Sequence, residues 1–224
     1  MRITNYRLQL VASVLLLSLY FLLPIRARAA LITFSDENTF LIAAGSTTLE
    51  SFESLADGAF SSAPIVAGAL TLTPLDAGQI HVRSTPTGGH FPTDGVKYVE
   101  FGDPALAPGG RLQFSFAEPE TSFGLSITDW GDQSSAGSLS IQTNAGEASS
   151  GVLIAVNPPQ VASGGQLFFG LIQNTPFTSV TLISTTASDG MGIDEIHFKP
   201  LPEPSGALLM VGLLMAGGRF RRIR

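Results

Sequence analysis

The residues of this chain best suited to chemistry are carboxylates. Asp194, within Gly192-Ile193-Asp194-Glu195-Ile196, shares strand parity with Ile196 and Phe198, so a strand that buries those two turns Asp194 inward as well. An inward carboxylate is costly unless it is paired, hydrogen-bonded or bound to a metal. Two arrangements meet that need. In one, Asp194 and Glu53 close a calcium site with backbone carbonyls, Glu50 being the rival partner by parity; a hard cation that takes about six to eight oxygens suits an acidic chain without thiols. In the other, Asp194 caps a turn by accepting backbone N–H bonds.

A second cluster is Asp129-Trp130-Gly131-Asp132, where an alternating stretch runs into a loop. Exposed, the single Trp would stack on a sugar ring while Asp129 and Asp132 bind hydroxyls, because indole offers a broad apolar face and one polar donor. Turned inward, the same Trp closes the end of a core. Catalysis has less to rest on. His81, His90 and His197 lie far apart in sequence, and neither a G-x-S-x-G elbow nor a phosphate-binding glycine loop is present. The alternative to a binding protein is a glycosidase. That chemistry minimally needs two carboxyls about 5 to 9.5 Å apart across a cleft, and this chain has carboxylates in plenty.

The elements that would carry these groups are mostly strands. Leu112, Phe114 and Phe116 alternate with Arg111, Gln113 and Ser115; Phe123, Leu125 and Ile127 alternate with Ser122, Ser126 and Thr128; Val180 and Leu182 alternate with Thr and Ser. Turns rich in Gly, Pro, Asn, Asp and Ser separate about a dozen such stretches. One short helix is expected near the start, capped by Ser35, with Phe40, Leu41 and Ala44 on one face and Gly45 as its stop. Many short strands without helical crossovers predict an all-β, antiparallel two-sheet sandwich of the jelly-roll kind over residues 30–200.

Charge narrows the partners. Between residues 30 and 201 there are 4 basic residues (Arg83, Lys97, Arg111 and Lys199) against 17 acidic ones, a net −13. A field of that sign opposes nucleic acid and bare anionic lipid. The chain has no cysteine, so neither disulfides nor thiolate metal sites nor Cys nucleophiles are available.

Both ends read as addresses. Arg2 and Arg7 precede an apolar stretch from Leu10 to Leu23, and Ala27-Arg28-Ala29 offers the small-residue pattern that signal peptidase cuts, giving a signal peptide over 1–29. At the other end come Pro202-Glu203-Pro204, an apolar run from Gly206 to Gly218, and Arg219, Phe220, Arg221, Arg222, Ile223 and Arg224. Arginines resist crossing a bilayer, so this end stays inside while the apolar run holds the chain transiently in the membrane. At about 1.5 Å per residue that run reaches roughly 20 Å, short of a bilayer's roughly 30 Å core, which suits a temporary anchor.

This triplet, span and basic cluster over 201–224 resemble the PEP-CTERM sorting signal of Gram-negative bacteria that make extracellular polysaccharide. The resemblance implies that Pro202, Glu203 and Pro204 are read by exosortase, a membrane-embedded cysteine protease that removes the tail and releases the protein to the cell surface or extracellular matrix. The stretch from Phe34 through Phe40-Leu41 to Phe52-Glu53, the segment from Phe123 to Asp132, and Gly192 to Ile196 resemble the lectin-like β-sandwich regions carried by such proteins. The expectation is an exported, non-catalytic β-sandwich whose partners are signal peptidase and exosortase during export and a polysaccharide outside, with no nucleic acid.

Overall fold

The computed structural model describes residues 31–76, 78–102, 108–131, 138–145, 152–156, 164–187 and 190–200, all within the larger of two compact units, Leu31–Arg224. The signal peptide and the sorting motif Pro202-Glu203-Pro204 with its apolar run lie outside these residues, as does Asp132. Among the described residues no helix is long and apolar enough to cross a membrane.

The fold is all-β and antiparallel, as the alternation predicts. The strands are β1 (Leu31–Phe34), β2 (Thr48–Glu50), β3 (Ile65–Ala67), β4 (Leu70–Leu75), β5 (Ile80–Arg83), β6 (Tyr98–Phe101), β7 (Pro108–Thr128), β8 (Leu139–Thr143), β9 (Val152–Val156), β10 (Gln166–Ala187) and β11 (Met191–Pro200). The stretches expected as separate strands on either side of residue 118 are one strand, β7, and β10 is equally long. Each serves in two layers. The first half of β7 pairs with β4 and with the end of β10; its second half pairs with β11 and with the start of β10. Register shifts between Ile172 and Ser179 mark the corner on β10. Strands that switch sheets at bulges or bends build such corners.

The layers face each other across one core. Phe114 and Phe123 are nine residues apart, about 30 Å along an extended strand, yet their ring centroids are 5.3 Å apart. The chain has folded back on itself. Phe116 touches Phe123, Phe177 and Phe198, and Leu70, Leu72, Leu112, Leu125, Ile127, Leu171, Leu182, Ile193 and Ile196 complete the interior with no solvent exposure.

The one helix among the described residues, α1 (Glu37–Ala44), covers the outer face of one layer. Its cap is Asp36 rather than the expected Ser35: the Asp36 Oδ1 accepts from the Thr39 N–H at 2.8 Å, and Glu37 occupies the electropositive first turn. Phe40 presses onto the sheet over Gly124 and Gly170, where a Cβ would lie 3.0 and 2.6 Å from the ring. Any larger residue on those two strands would push the helix away. His197 completes the dock, its Nε2 3.0 Å from Glu37 Oε1 and its Nδ1 3.4 Å from Thr47 Oγ1.

One acid is buried without such support. Glu120 stands opposite Phe177 and Pro200, is 2 % exposed, and its Oε2 has no hydrogen-bond partner among the described residues. Burial, with the neighbouring Glu118 charge, pushes its carboxyl up to about 7. Because the folded pKa lies above the ordinary value of 4.5, its stabilising contribution is complete below that value and is lost as pH rises through about 7. Glu120→Gln should therefore gain on the wild type with rising pH, by up to about 3 kcal/mol at pH 8. Denaturant unfolding at about pH 5 and pH 8 checks this; a variant-to-wild-type difference that does not change with pH would contradict it.

Candidate functional site

The segment from Ser84 to Lys97, which connects β5 to β6, lies where several of the chain's acids converge. Asp194 is the first. Its Oδ2 accepts from the Thr93 and Asp94 amides at 2.7 and 2.9 Å and contacts the Thr93 hydroxyl at 3.3 Å, while its Oδ1 accepts from the Glu195 amide at 2.8 Å. Glu53 is the second, with Oε1 accepting from Val96 and Lys97 at 2.7 and 2.8 Å. Asp57 holds the segment's start through Ser84 and its end through the Lys97 ammonium, 3.3 Å away.

Asp194 thus takes the turn-capping role. It and Glu53 meet around one segment through that segment's backbone, and among the described residues no three His, Asp or Glu side chains gather in a way that could hold a metal ion. The donor set fits calcium poorly: a cation on these oxygens would face the positive ends of N–H groups already bonded to them. Glu50, the rival partner, accepts instead from the Phe52 amide at 2.7 Å.

The parity argument for Asp194 fails at one residue. Asp194 stands opposite Ser126 and His197 opposite Gly124, so β11 carries one extra residue, and Glu195 takes φ +49° at this bulge. The bulge resets the alternation. Ile193, Ile196 and Phe198 enter the core, while Asp194 points to the other face and is 1 % exposed because the Thr93–Asp94 turn covers it. Burial pushes its carboxyl up to about 7, against the pull of the Asp94, Glu195 and Thr93 amides.

The Asp129-Trp130 pair is placed otherwise than sugar stacking requires. Asp129 adopts φ +62° at the end of β7, and Trp130 is 2 % exposed within the core cluster. The indole therefore closes the core and offers no face to a ligand. Asp129 is itself 2 % exposed and works as a tie. Its Oδ1 accepts from the Gly164 amide at 2.7 Å, its own amide donates to the Gly165 carbonyl at 2.8 Å, and its Oδ2 lies 3.4 Å from His90 Nε2.

His90, which the sequence singles out only as an isolated histidine, is the hub. Its Nδ1 lies 3.4 Å from Glu100 Oε1, and Arg83 pairs with the other oxygen of Glu100. Burial opposes ionisation of both His90 and Glu100, but their mutual attraction prevails, with Asp129 acting on His90 and Arg83 on Glu100; His90 is held above its ordinary pKa and Glu100 below. Burial and the Glu100 charge also push the Tyr98 phenol up, and its hydroxyl donates to the Thr85 carbonyl at 3.1 Å. Gly89, at φ +96°, is needed here because a Cβ would sit 2.2 Å from Asp129 Oδ1. Above this network a cleft of about 270 Å³ opens between Pro86–Phe91 and Gly164.

No family model matches the sequence, and no curated protein does. Among solved structures, the K2 cleaved adhesin domain of Lys-gingipain overlaps with a TM-score of 0.48 at 15% identity, over 69% of this chain and 99% of that one. The CBM22-1 xylan-binding domain of Paenibacillus barcinonensis Xyn10C overlaps at 0.41 and 13% identity, over 70% and 97%. The C-terminal family 22 carbohydrate-binding module of Clostridium thermocellum Xyn10B gives 0.43 and 10%, over 71% and 97%. Overlap this loose carries no information about a ligand.

The capping geometry makes a sharp test of Asp194. Both of its oxygens accept N–H bonds, so an amide nitrogen at either place would face a donor; Asp194→Asn should lose about 1 to 3 kcal/mol of stability in EDTA and in millimolar calcium alike. Thermal melts under both conditions read it. A wild-type melting temperature that calcium raises, and that the variant loses, would restore the calcium site.

Proposed function

We propose that this chain is an exported, exosortase-sorted protein of the cell surface or extracellular matrix, whose β-sandwich binds polysaccharide and does not cleave it. The sorting half rests on Pro202-Glu203-Pro204, the apolar run and the terminal arginines, with the signal-peptide pattern at the other end. The binding half rests on the state of the acids at the cleft. Asp129 and Glu100, the carboxyls that flank His90 in the cleft's lining, are buried and held by His90, by Arg83 and by the Gly164 amide. A glycosidase needs its two carboxyls facing a substrate, one to protonate the leaving oxygen and one to attack or to activate water. These two face the protein. What they support is a rigid rim: Pro86, Thr87 and Phe91 with the backbone of Gly88 and Gly89, the kind of shallow surface that contacts a sugar through apolar faces and hydroxyl hydrogen bonds.

Two experiments separate the halves of this reading. In a host with exosortase, mass spectrometry should find a secreted form lacking the terminal arginines, and Glu203→Ala should leave an uncleaved, membrane-associated precursor. A mature extracellular form ending in Arg224 would defeat the sorting reading. For binding, the secreted protein should retain neutral glycans on an array, and Phe91→Ala should weaken capture by roughly ten-fold, the scale of losing one apolar sugar contact. Capture unchanged by that substitution would move the ligand away from this cleft.

A further inference from the structure

The His90 network holds more than one loop, and it does so through a single proton. The carboxylate of Asp129 reaches the 84–97 segment through His90 Nε2 at 3.4 Å and the Gly164 turn through its amide at 2.7 Å, and these are the two sides of the cleft. His90 is 6 % exposed and Glu100 5 %. Four charged groups face one another here: Arg83 from β5, Glu100 from β6, Asp129 from the end of β7, and His90 from the loop itself. Tyr98 on β6 adds a neutral phenol directed at Thr85, and Gly190, just before β11, and Gly192 on β11 present their backbone.

The charges balance only with the imidazole protonated, when two cations meet two anions. A protonated ring also turns a positively charged N–H edge to each carboxylate, 3.4 Å away on either side, and interacts with the Gly190 backbone, whereas a neutral ring has one N–H and must turn a lone pair toward one of these groups. One buried negative charge is then left facing a lone pair. We propose that His90 is a proton-operated clasp: protonated, it holds the 84–97 segment and the Gly164 turn together, and on losing the proton it lets them part and the cleft between them open.

Glu100 and Asp129 hold the ring's proton above its ordinary value in spite of burial, so the release comes at a higher pH than for a free imidazole. The clasp rests on the binding reading only for what an opened cleft takes up. Its motion is read without any glycan, so a silent glycan array leaves it standing, and a rigid cleft leaves the array result standing.

The experiment is hydrogen exchange on the full chain between about pH 6 and pH 9, each amide corrected for its intrinsic pH dependence. The probes are the paired Thr87 and His90 amides and the Gly164 amide, with the β7–β10 ladder as internal control. Protection of the probes should fall by up to about ten-fold per pH unit from the ordinary histidine value up to the ring's raised titration and level off above it while the control stays level, and His90→Gln, which cannot titrate, should show constant low protection. Probe protection that does not depend on pH, or the same pH-dependent loss in His90→Gln, would overturn the clasp. Should the variant fail to fold, NMR titration of the His90 ring in the wild type decides: a ring that loses its proton at or below the ordinary histidine value of 6.5 overturns it as well.

Discussion

A carboxylate removed from water costs several kcal/mol unless something answers its charge, and this fold buries Glu100, Glu120, Asp129 and Asp194. Much of the architecture around β5, β6 and β11 follows from how that cost is met. Cations are few. Arg83 goes to Glu100, Arg111 to Asp76 on the surface, Lys97 to Asp57 and the Leu55 carbonyl, and Lys199 to the Ala44 carbonyl at the end of α1. Backbone amides serve Asp194 and, with His90, Asp129, while Glu120 is left without such an answer; amides free of strand pairing are found in loops. The 84–97 segment is ordered over the sheet because its N–H groups are what Glu53, Asp57 and Asp194 have available to bond.

That exchange explains which parts of the fold were legible in the amino-acid order. Alternation at 111–116, 122–128 and 180–182 reports which side chains are buried, and burial is what a period of two encodes, so the antiparallel sandwich and its core were readable. Continuity across the corner was not: Glu118, Pro119 and Glu120 interrupt the pattern like a turn, although β7 runs through them as one strand. The helix could be placed but not its cap, because Ser35 and Asp36 are both capping residues and only the bond to Thr39 separates them.

The site was legible in its parts and misread in its arrangement. Glu53 and Asp194 do converge on one place, but periodicity cannot foresee a bulge, and the extra residue at Glu195 sends Asp194 to the opposite face from Ile196. Trp130 and Asp129 are neighbours in sequence with opposite fates: the positive φ of Asp129 turns the indole into the core and leaves the carboxylate to tie two loops. His90 could not be found from spacing at all. Its partners Glu100 and Asp129 lie 10 and 39 residues away, on β6 and just past the end of β7, so only the tertiary structure assembles the cluster.

The same scarcity of cations bears on what the domain can bind. With all four basic side chains of residues 30–201 engaged in holding the structure, none is left over to pair with an anionic sugar, and the net −13 of that stretch repels one. An uncharged glycan meets no such barrier, since hydroxyls need only neutral donors, acceptors and an apolar face. At the cleft those are the backbone of Gly88 and Gly89 and the side chains of Thr87 and Phe91. On the binding reading proposed above, a chain that commits its cations to its own carboxylates and carbonyls leaves a surface suited to neutral ligands.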